Sequence, residues 1–272
     1  MTESILERTN VNLLFIGDIV GKGGRRAVRE MVPELRREFN CQFCVANVEN
    51  IANGGGMNAK TLGQLIPDFI DVATSGDHVW DQKELELEIE RFDNVLRPAN
   101  MSCKQPGRGF AIFRNPGGGD IAVLNLMGQV FMRPSARCPF EKAEEILGAM
   151  PRNVKCVLVD IHAEATSEKA AMARFLEGRV TAVLGTHTHV QTADAKILPG
   201  GTAFISDVGM VGAEASVLGR ELDAVVDKFR SGMPRRLPVV EKGIRLDAVV
   251  ISYDPETGKA SKITPISRMS NV

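Results

Sequence analysis

The sequence lacks the features of a secreted, membrane-bound or strongly charged protein. Its 272 residues carry a formal net charge of -1, which provides no electrostatic footprint for bulk nucleic acid or for a membrane surface. No apolar run approaches the roughly 20 residues that a membrane-spanning helix requires. The first ten residues are polar and charged, without the apolar stretch of a signal peptide. We therefore expect a cytoplasmic protein with no membrane partner and no bulk nucleic-acid binding.

Cysteine is scarce as well. There are five cysteines, an odd number at scattered positions, and this argues against a disulfide framework. Cys41 and Cys44 form one Cys-x-x-Cys pair, but the sequence has no second pair that would complete a zinc site. We interpret both cysteines as small buried hydrophobic side chains.

The overall composition is that of an ordinary globular protein. Hydrophobic residues make up 44% of the chain and charged residues 25%, which is enough apolar material for a full core. The length suits one large domain. We predict a flexible N-terminal extension at residues 1–10 and a single domain at residues 11–272.

Short apolar runs alternate with helical patterns along the chain. Strands are predicted at 11–17, 42–48, 70–74, 109–114, 120–126, 155–161, 180–184, 203–205, 243–253 and 260–266. Helices are predicted at 25–39, 59–66, 141–150 and 221–230. The β-loop-α repeat predicts an α/β fold with a mostly parallel sheet covered by helices, followed by antiparallel strands in the last part of the chain.

Five predicted strands end in side chains that can bind a metal. These side chains are Asp18, Glu49 with Asn50, Asp77 with His78, His162, and His187 with His189. In open α/β sheets, binding sites lie outside the carboxyl ends of the strands. The fold would therefore bring these distant residues together at one edge.

All four histidines of the chain follow such apolar runs. Imidazoles at His187 and His189 can reach two different metals about 3.5–4 Å apart. Glu49 has two acceptor oxygens and can bridge two cations, while Asn50 offers a neutral amide oxygen. A set of imidazole, carboxylate and amide ligands without thiolate favours iron or manganese at least as much as zinc.

Several longer motifs resemble one known family. They are GDIVG at Asp18, VENIANGGG at Glu49, GDHVWD at Asp77, HAEATSEK at His162 and GTHTHV at His187. This set of motifs is similar to that of the calcineurin-like metallophosphoesterases, and in particular to the YmdB-like bacterial phosphodiesterases. The resemblance runs from about Val11 to about Ile266. It implies a four-layer α/β/β/α sandwich with two metal ions at the carboxyl ends of the strands.

The resemblance also implies a role for each site residue. One metal would be held by Asp18, Glu49, Asn50 and His189. Glu49 would bridge to the second metal, whose other ligands would be Asp77, His162 and His187. His78 would be the catalytic residue. The family is described with iron or manganese, so we expect two such ions per chain, iron before manganese and zinc last.

Asp77 departs from the family pattern, which has asparagine before the catalytic histidine. An aspartate can still bind a metal, but it adds negative charge where an anionic substrate approaches. This departure brings into question the rate of turnover rather than the fold.

The implied activity is hydrolysis of cyclic nucleotides, including 2′,3′-cyclic nucleotides and cAMP, or of an RNA-derived phosphodiester. A hydroxide bridging two metals would attack phosphorus, and His78 would donate a proton to the leaving ribose oxygen. Asp81 is interpreted as a helix N-cap, with orientation of His78 as the alternative. Two other functions stay open, a broad phosphomonoesterase and a regulatory protein that binds a nucleotide or RNA without turnover. The oligomeric state also stays open, with a homo-oligomer as one option.

Overall fold

The computed structural model describes residues 10–115, 118–132 and 136–271. Residues 1–9 of the predicted extension therefore lie outside the described residues. The strands are β1 Val11–Ile16, β2 Asp18–Ile19, β3 Cys41–Asn47, β4 Val72–Thr74, β5 Phe110–Arg114, β6 Asp120–Met127, β7 Cys156–His162, β8 Ala182–Thr186, β9 Lys196–Ile197, β10 Ala203–Ile205, β11 Met210–Ala213, β12 Ile244–Tyr253 and β13 Ala260–Met269. The α-helices are α1 Gly21–Glu38, α2 Ala59–Leu62, α3 Leu85–Glu88, α4 Pro139–Gly148, α5 Thr166–Phe175 and α6 Leu222–Ser231, and a 3-10 helix spans Ile89–Arg91.

The strands form two mixed sheets, so the mostly parallel sheet expected from the β-loop-α repeat is wrong, whereas two sheets are consistent with the sandwich that the resemblance implies. The first has the order β2-β11-β12-β1-β3-β4, with β13 paired to β12. The second has the order β5-β6-β7-β8-β10-β9. Parallel pairing holds β1 to β3 and β3 to β4 in the first sheet, and β6 to β7 and β7 to β8 in the second. The antiparallel strands β12 and β13 of the predicted tail join the first sheet. The predicted α/β class is confirmed.

Three core clusters show how the strands are buried. Leu13 and Phe15 of β1 share a cluster with Leu158 and Leu184 of the second sheet. The intervening residues of β1, such as Leu14, point the other way and pack in the cluster that contains α1. A third cluster joins the second sheet to α4 and α5. Both faces of the central strands are therefore covered, and the predicted site residues lie at or beyond the ends of their strands.

Three local differences from the predicted elements have physical reasons. The first helix begins at Gly21 and not at residue 25, because its glycines allow close packing: a Cβ at Gly24 would lie 2.6 Å from the Val211 carbonyl oxygen. The helix predicted over 59–66 ends at Leu62. α5 and β11 were not predicted, because Thr166–Phe175 is largely polar and charged and Met210–Ala213 contains a glycine.

The two cysteines of the Cys-x-x-Cys pair are buried in β3, as expected. Burial raises the pKa of the Cys41 thiol to about 12 and that of Cys44 well above its usual value. Both side chains belong to the cluster that contains α1. Among the residues that the structure describes, no helix has the length and apolar character to cross a membrane.

Candidate metal centre

All the predicted site residues lie at the carboxyl edge where the two sheets meet. Asp18 begins β2, and Glu49 and Asp77 follow β3 and β4, so the first sheet supplies the carboxylates. His162 ends β7 and His187 follows β8, so the second sheet supplies imidazoles. The site therefore spans both sheets.

Four of the predicted ligands form what we call the compact group: Glu49, Asp77, His162 and His187. Each offers one ligand atom, and these atoms all lie within 4.8 Å of one another. His162 Nε2 lies 3.2 Å from Glu49 Oε1 and 3.3 Å from Asp77 Oδ1. His187 Nδ1 lies 3.0 Å from His162 Nε2. The compact group has the same members as one of the two predicted ligand sets.

The other three predicted ligands, Asp18, Asn50 and His189, form what we call the open group. His189 Nε2 lies 3.8 Å from Asp18 Oδ1 and 3.3 Å from Asn50 Nδ2. The Asn50 amide donates to Glu49 Oε1 at 3.1 Å, which connects the open group to the compact group. Glu49 thus lies between the two groups, where a bridging ligand would have to be.

His162 is oriented by a relay of buried hydrogen bonds. The Thr186 hydroxyl donates to Asp160 Oδ1 at 2.7 Å. It can therefore accept from His162 Nδ1, which lies 2.9 Å away. With its proton on Nδ1, His162 presents the lone pair of Nε2 to the compact group. Such partners fix the tautomer of a ligating histidine and raise its basicity.

The other two candidate histidine ligands are oriented in the same way by different partners. His187 Nε2 lies 3.2 Å from Glu164 Oε2, which leaves Nδ1 to face the compact group. His189 Nδ1 lies 3.3 Å from the Leu218 carbonyl oxygen, which leaves Nε2 to face Asp18. In each case the outward nitrogen holds the proton and the inward nitrogen is available for a metal.

The loop between His187 and His189 is strained and firmly anchored. Both histidines have positive φ, 103° and 64° respectively, in the region that costs non-glycine residues energy. The intervening Thr188 donates its backbone N–H and its hydroxyl to Asp207 Oδ2, at 3.0 and 2.8 Å. Asp207 is in turn paired with the buried Lys169 ammonium at 2.7 Å. This ion pair holds both imidazoles in place.

His78 sits beside the compact group, but its ring points to a different partner. Its backbone N–H donates to Glu49 Oε2 at 3.3 Å, and its Nδ1 lies 2.6 Å from Asp81 Oδ2. The interpretation of Asp81 as an N-cap is wrong, because the next helix begins at Leu85 and Glu84 occupies the capping position. Asp81 instead orients the His78 ring, as in the alternative.

The electrostatics of the site suit a cation. Burial raises the pKa of Asp18 well above its usual value, and the neighbouring Glu49 carboxylate adds to this effect. Burial also opposes ionisation of Glu49, but the charge of His162, its hydrogen bond to Glu49 and the charge of His78 together outweigh burial, and the pKa of Glu49 falls. Burial acts against a charged His162, yet Glu49 and Asp77 raise its pKa well above 6.5. Burial and the charge of His162 lower the pKa of His187 to about 4.

A metal fits this set of donors. Asp18 Oδ1 is buried and accepts no hydrogen bond from any residue that the structure describes, a costly situation for a carboxylate oxygen without a counter-ion. The raised pKa of Asp18 has the same cause, since the site is too apolar and too negative for one more charge. Carboxylate, amide and imidazole donors together match manganese, iron or zinc.

Several residues of the site were not singled out from the sequence. Asp160 and Thr186 lie inside apolar strands, and a polar residue in a fully buried strand was the available signal. Gly76 was also missed as a requirement of the site. A Cβ at Gly76 would collide with the His162 ring and the Glu49 carboxylate, so only glycine fits there.

The candidate centre opens into a cleft of about 370 Å³. Glu49, Asn50, His78, Glu164, His187, Thr188 and His189 line its polar end. Its other wall is made mostly of apolar side chains from the segment around α6. A separate cavity of about 290 Å³ beside Trp80 and Lys104 contains none of the predicted site residues.

The chain is similar to phosphodiesterases and phosphatases over nearly its whole length. It is 42% identical over 256 residues to the 2′,3′-cyclic-nucleotide 2′-phosphodiesterase of Bacillus subtilis (strain 168), which covers 94% of this chain and 96% of that protein. It is 34% identical to a putative phosphatase/phosphodiesterase of Mycoplasma genitalium, covering 94% and 92% of the two chains. These names confirm the predicted class of enzyme, a metal-dependent phosphodiesterase.

Solved structures of relatives show the same fold. A hypothetical protein from Thermus thermophilus has a TM-score of 0.88 at 36% identity, covering 96% of this chain and 100% of that one. A novel phosphatase from Mycoplasma pneumoniae has a TM-score of 0.90 at 30% identity, covering 97% and 95%. A family model described as YmdB-like protein matches residues 14–266. The chain therefore belongs to the YmdB-like family.

Proposed function

We propose that this chain is a binuclear-metal phosphodiesterase that hydrolyses cyclic nucleotides, with 2′,3′-cyclic nucleotides as the first candidate substrates and cAMP as the second. The observation that carries this proposal is the arrangement of the compact and open groups around one shared carboxylate, Glu49. The named activity of the Bacillus subtilis relative supports the substrate class.

The two ligand groups suggest how two metals would be held. Asp18, Glu49, Asn50 and His189 would hold one metal, and Glu49, Asp77, His162 and His187 the other. When bound, the metals supply an activated water and neutralise charge on the phosphoryl oxygens. A donor set without thiolate suits iron or manganese at least as well as zinc, and we propose iron first, manganese next and zinc last.

His78 is the proposed general acid. Asp81 accepts at Nδ1 and holds the ring, so Nε2 remains to donate a proton to the leaving ribose oxygen. In this step the oxygen of a water forms a bond to phosphorus while the bond between phosphorus and the ribose oxygen breaks, and doubly protonated His78 gives its Nε2 proton to that ribose oxygen. The bond from the His78 backbone to Glu49 fixes the distance between the acid and the metal ligands.

The proposal also covers the layer arrangement, the substrate and the location of the enzyme. The cluster shared by both sheets and the two helix-bearing clusters support the four-layer α/β/β/α arrangement of the family. A cyclic nucleotide or a short RNA-derived phosphodiester fits the cleft as substrate. We also propose a cytoplasmic location for the enzyme.

The direct test joins metal analysis to kinetics. Protein produced with ample iron or manganese should hold close to two metals per chain and should hydrolyse adenosine 2′,3′-cyclic phosphate. A fully loaded sample with one metal would overturn the binuclear arrangement. Faster turnover of p-nitrophenyl phosphate than of the cyclic diester would favour the phosphomonoesterase alternative.

The same assay tests the regulatory alternative. Asp77 lies 3.5 Å from His187 Nδ1 within the compact group, where it adds a negative charge near the incoming phosphate. Binding of the cyclic nucleotide without product, at full metal occupancy, would favour a protein that senses the nucleotide.

A further inference from the structure

One part of the lining of the cleft, which we call the wall, is apolar, and its side chains come from three segments that are close in the chain. Val217 and Leu218 precede α6, while Val225 and Phe229 lie on α6 itself. Leu237 completes the wall. We propose that this wall binds the nucleobase of the substrate by stacking and apolar contact, without reading its hydrogen-bonding edges. This inference rests on the proposed function, because the phosphate would have to lie at the metal centre.

The wall and the metal ligands line one continuous cleft. Its volume of about 370 Å³ falls within the range of small-molecule sites. A phosphate held by the ligands at one end leaves the remainder of a nucleotide to occupy the other. The part of the ligand that meets the apolar wall must itself present an apolar face, and the base is that part of a nucleotide.

Phe229 and Leu218 are the most exposed members of the wall. Phe229 is 77% exposed and Leu218 is 45% exposed. Val225 is buried and lies one helical turn before Phe229, so both side chains are on the same face of α6. Phe229 therefore stands at the rim of the cleft with its ring available, while Val225 forms the floor beneath it.

The wall is attached directly to the metal ligands. The Leu218 carbonyl oxygen lies 3.3 Å from His189 Nδ1, so the residue that forms the wall also orients a candidate ligand. Leu218 itself has a positive φ of 52°. This coupling holds the wall at a constant distance from the metal centre, as recognition of base and phosphate in one molecule requires.

The chemistry of the wall favours contact with the face of a base over contact with its edges. The five wall side chains carry no hydrogen-bonding group. Among the described residues that line the cleft, Arg220 is the one lysine or arginine, and it is partly buried and donates to the carbonyl oxygens of Gly54 and Leu237. Stacking on an aromatic side chain tolerates every base, and larger rings gain more contact area. We therefore expect purines to bind more tightly than pyrimidines, with little discrimination between adenine and guanine.

Other apolar residues of α6 provide a matched control. Leu222 is 55% exposed and Val226 is 41% exposed, yet neither lines the cleft. If a second copy of the chain covered the exposed side of α6, these residues would matter as much as Phe229. Substitution of Leu222 therefore separates a base-binding wall from a dimer interface.

The test compares two cyclic diesters, adenosine 2′,3′-cyclic phosphate and the base-free glycerol 1,2-cyclic phosphate, in the metal-loaded enzyme. Phe229→Ala should raise KM for the adenosine compound about tenfold, the scale of one lost stacking contact, and leave the kinetics of the glycerol compound unchanged. Phe229→Trp should keep the wild-type KM. Leu222→Ala should change neither substrate.

A binding measurement keeps this test independent of turnover. Calorimetric titration with adenosine 3′-monophosphate and with glycerol phosphate should show the same loss in Phe229→Ala for the nucleotide alone. If the wild type hydrolyses neither diester, the proposed function fails, while a selective loss of nucleotide binding still supports the wall. The proposal that the wall binds the base would be overturned if Phe229→Ala affected both ligands equally or affected neither. A preference of more than tenfold between adenine and guanine would also overturn it. Dissociation of an oligomer by Phe229→Ala without a change in KM would also overturn it.

Discussion

The compact group and the open group differ in how their histidines are supported. His162 of the compact group receives a relay of two side chains, Thr186 and Asp160, all buried. His189 of the open group has a single backbone carbonyl, that of Leu218 in an exposed loop. The compact group is therefore more completely organised before any metal binds, and it should retain its metal more strongly.

The two groups also differ in the interactions that their carboxylates make. Asp18 of the open group keeps a buried oxygen without a hydrogen bond from the described residues. In the compact group, the carboxylates of Glu49 and Asp77 are within 3.3 Å of His162. A metal at the open group would therefore neutralise Asp18, whereas a metal at the compact group would replace the ion pairs that His162 already makes with Glu49 and Asp77.

The largest expected effect comes from removing a ligand of each group in turn. His162→Ala should abolish binding at the compact group and, through loss of the contact that positions Glu49, also weaken the open group. His189→Ala should remove only the metal of the open group, leaving about one metal per chain. Elemental analysis after desalting measures the number of metals per chain in both variants. Equal losses in the two variants would show that the groups are not distinct.

The next effect is catalytic. His78→Ala should keep both metals and lose about 10²-fold or more in kcat, the usual scale for general acid–base catalysis. Asp81→Asn keeps a neutral acceptor at Nδ1 and should cost less, about tenfold, because it acts only through the orientation of His78. Steady-state kinetics at matched metal occupancy measures the loss of kcat in both variants. Loss of metal from His78→Ala would contradict the assignment of His78 as catalyst.

A smaller effect should follow from breaking the relay of the compact group. Thr186→Val keeps the shape of the side chain but removes both hydrogen bonds to His162 and Asp160. Metal affinity of the compact group should fall about 10- to 100-fold, as for other partners of ligating histidines. Competition with a chelator measures it, and Thr257→Val at an exposed position is the matched control. An unchanged affinity would mean that the relay contributes nothing to binding.

The smallest expected effect concerns Asp77. Like charges 4 Å apart repel by about 4 kcal/mol at an effective dielectric of 20, and a nearby metal offsets much of this. Asp77→Asn should therefore leave activity on an anionic diester unchanged or raise it modestly, and it should weaken retention of a trivalent metal. Asp93→Asn, at an exposed carboxylate, is the control for surface charge. A large loss of rate with both metals bound would show that Asp77 has a role of its own.

The sequence predicted that the candidate ligands lie together, because each one lies at or near the end of an apolar run. Asp18, Glu49, Asp77, His162 and His187 all lie at or just after strands whose burial requires apolar residues, so a polar side chain at the end is conspicuous. All seven predicted ligands and His78 lie at one edge in the structure. Their roles as ligands and as catalyst stay predictions.

Other features depend on contacts that no local pattern contains. The division into two sheets follows from which strands pair, and the β-loop-α repeat is compatible with one sheet or two. The roles of Asp160, Lys169 and Asp207 are set by partners that lie between 19 and 38 positions away in the chain. Asp81 was misassigned because a capping residue and a partner of histidine look the same before the distance to His78 is known.

The origin of the carboxylates in one sheet and the imidazoles in the other has a consequence for biosynthesis. Asp18 and His187, which are in contact, are separated by 169 positions in the chain. A growing polypeptide that has completed only the early strands holds acidic side chains with no imidazole partners except His78. Neither group can be assembled until both sheets have docked, so each complete set of candidate ligands exists only in the folded chain.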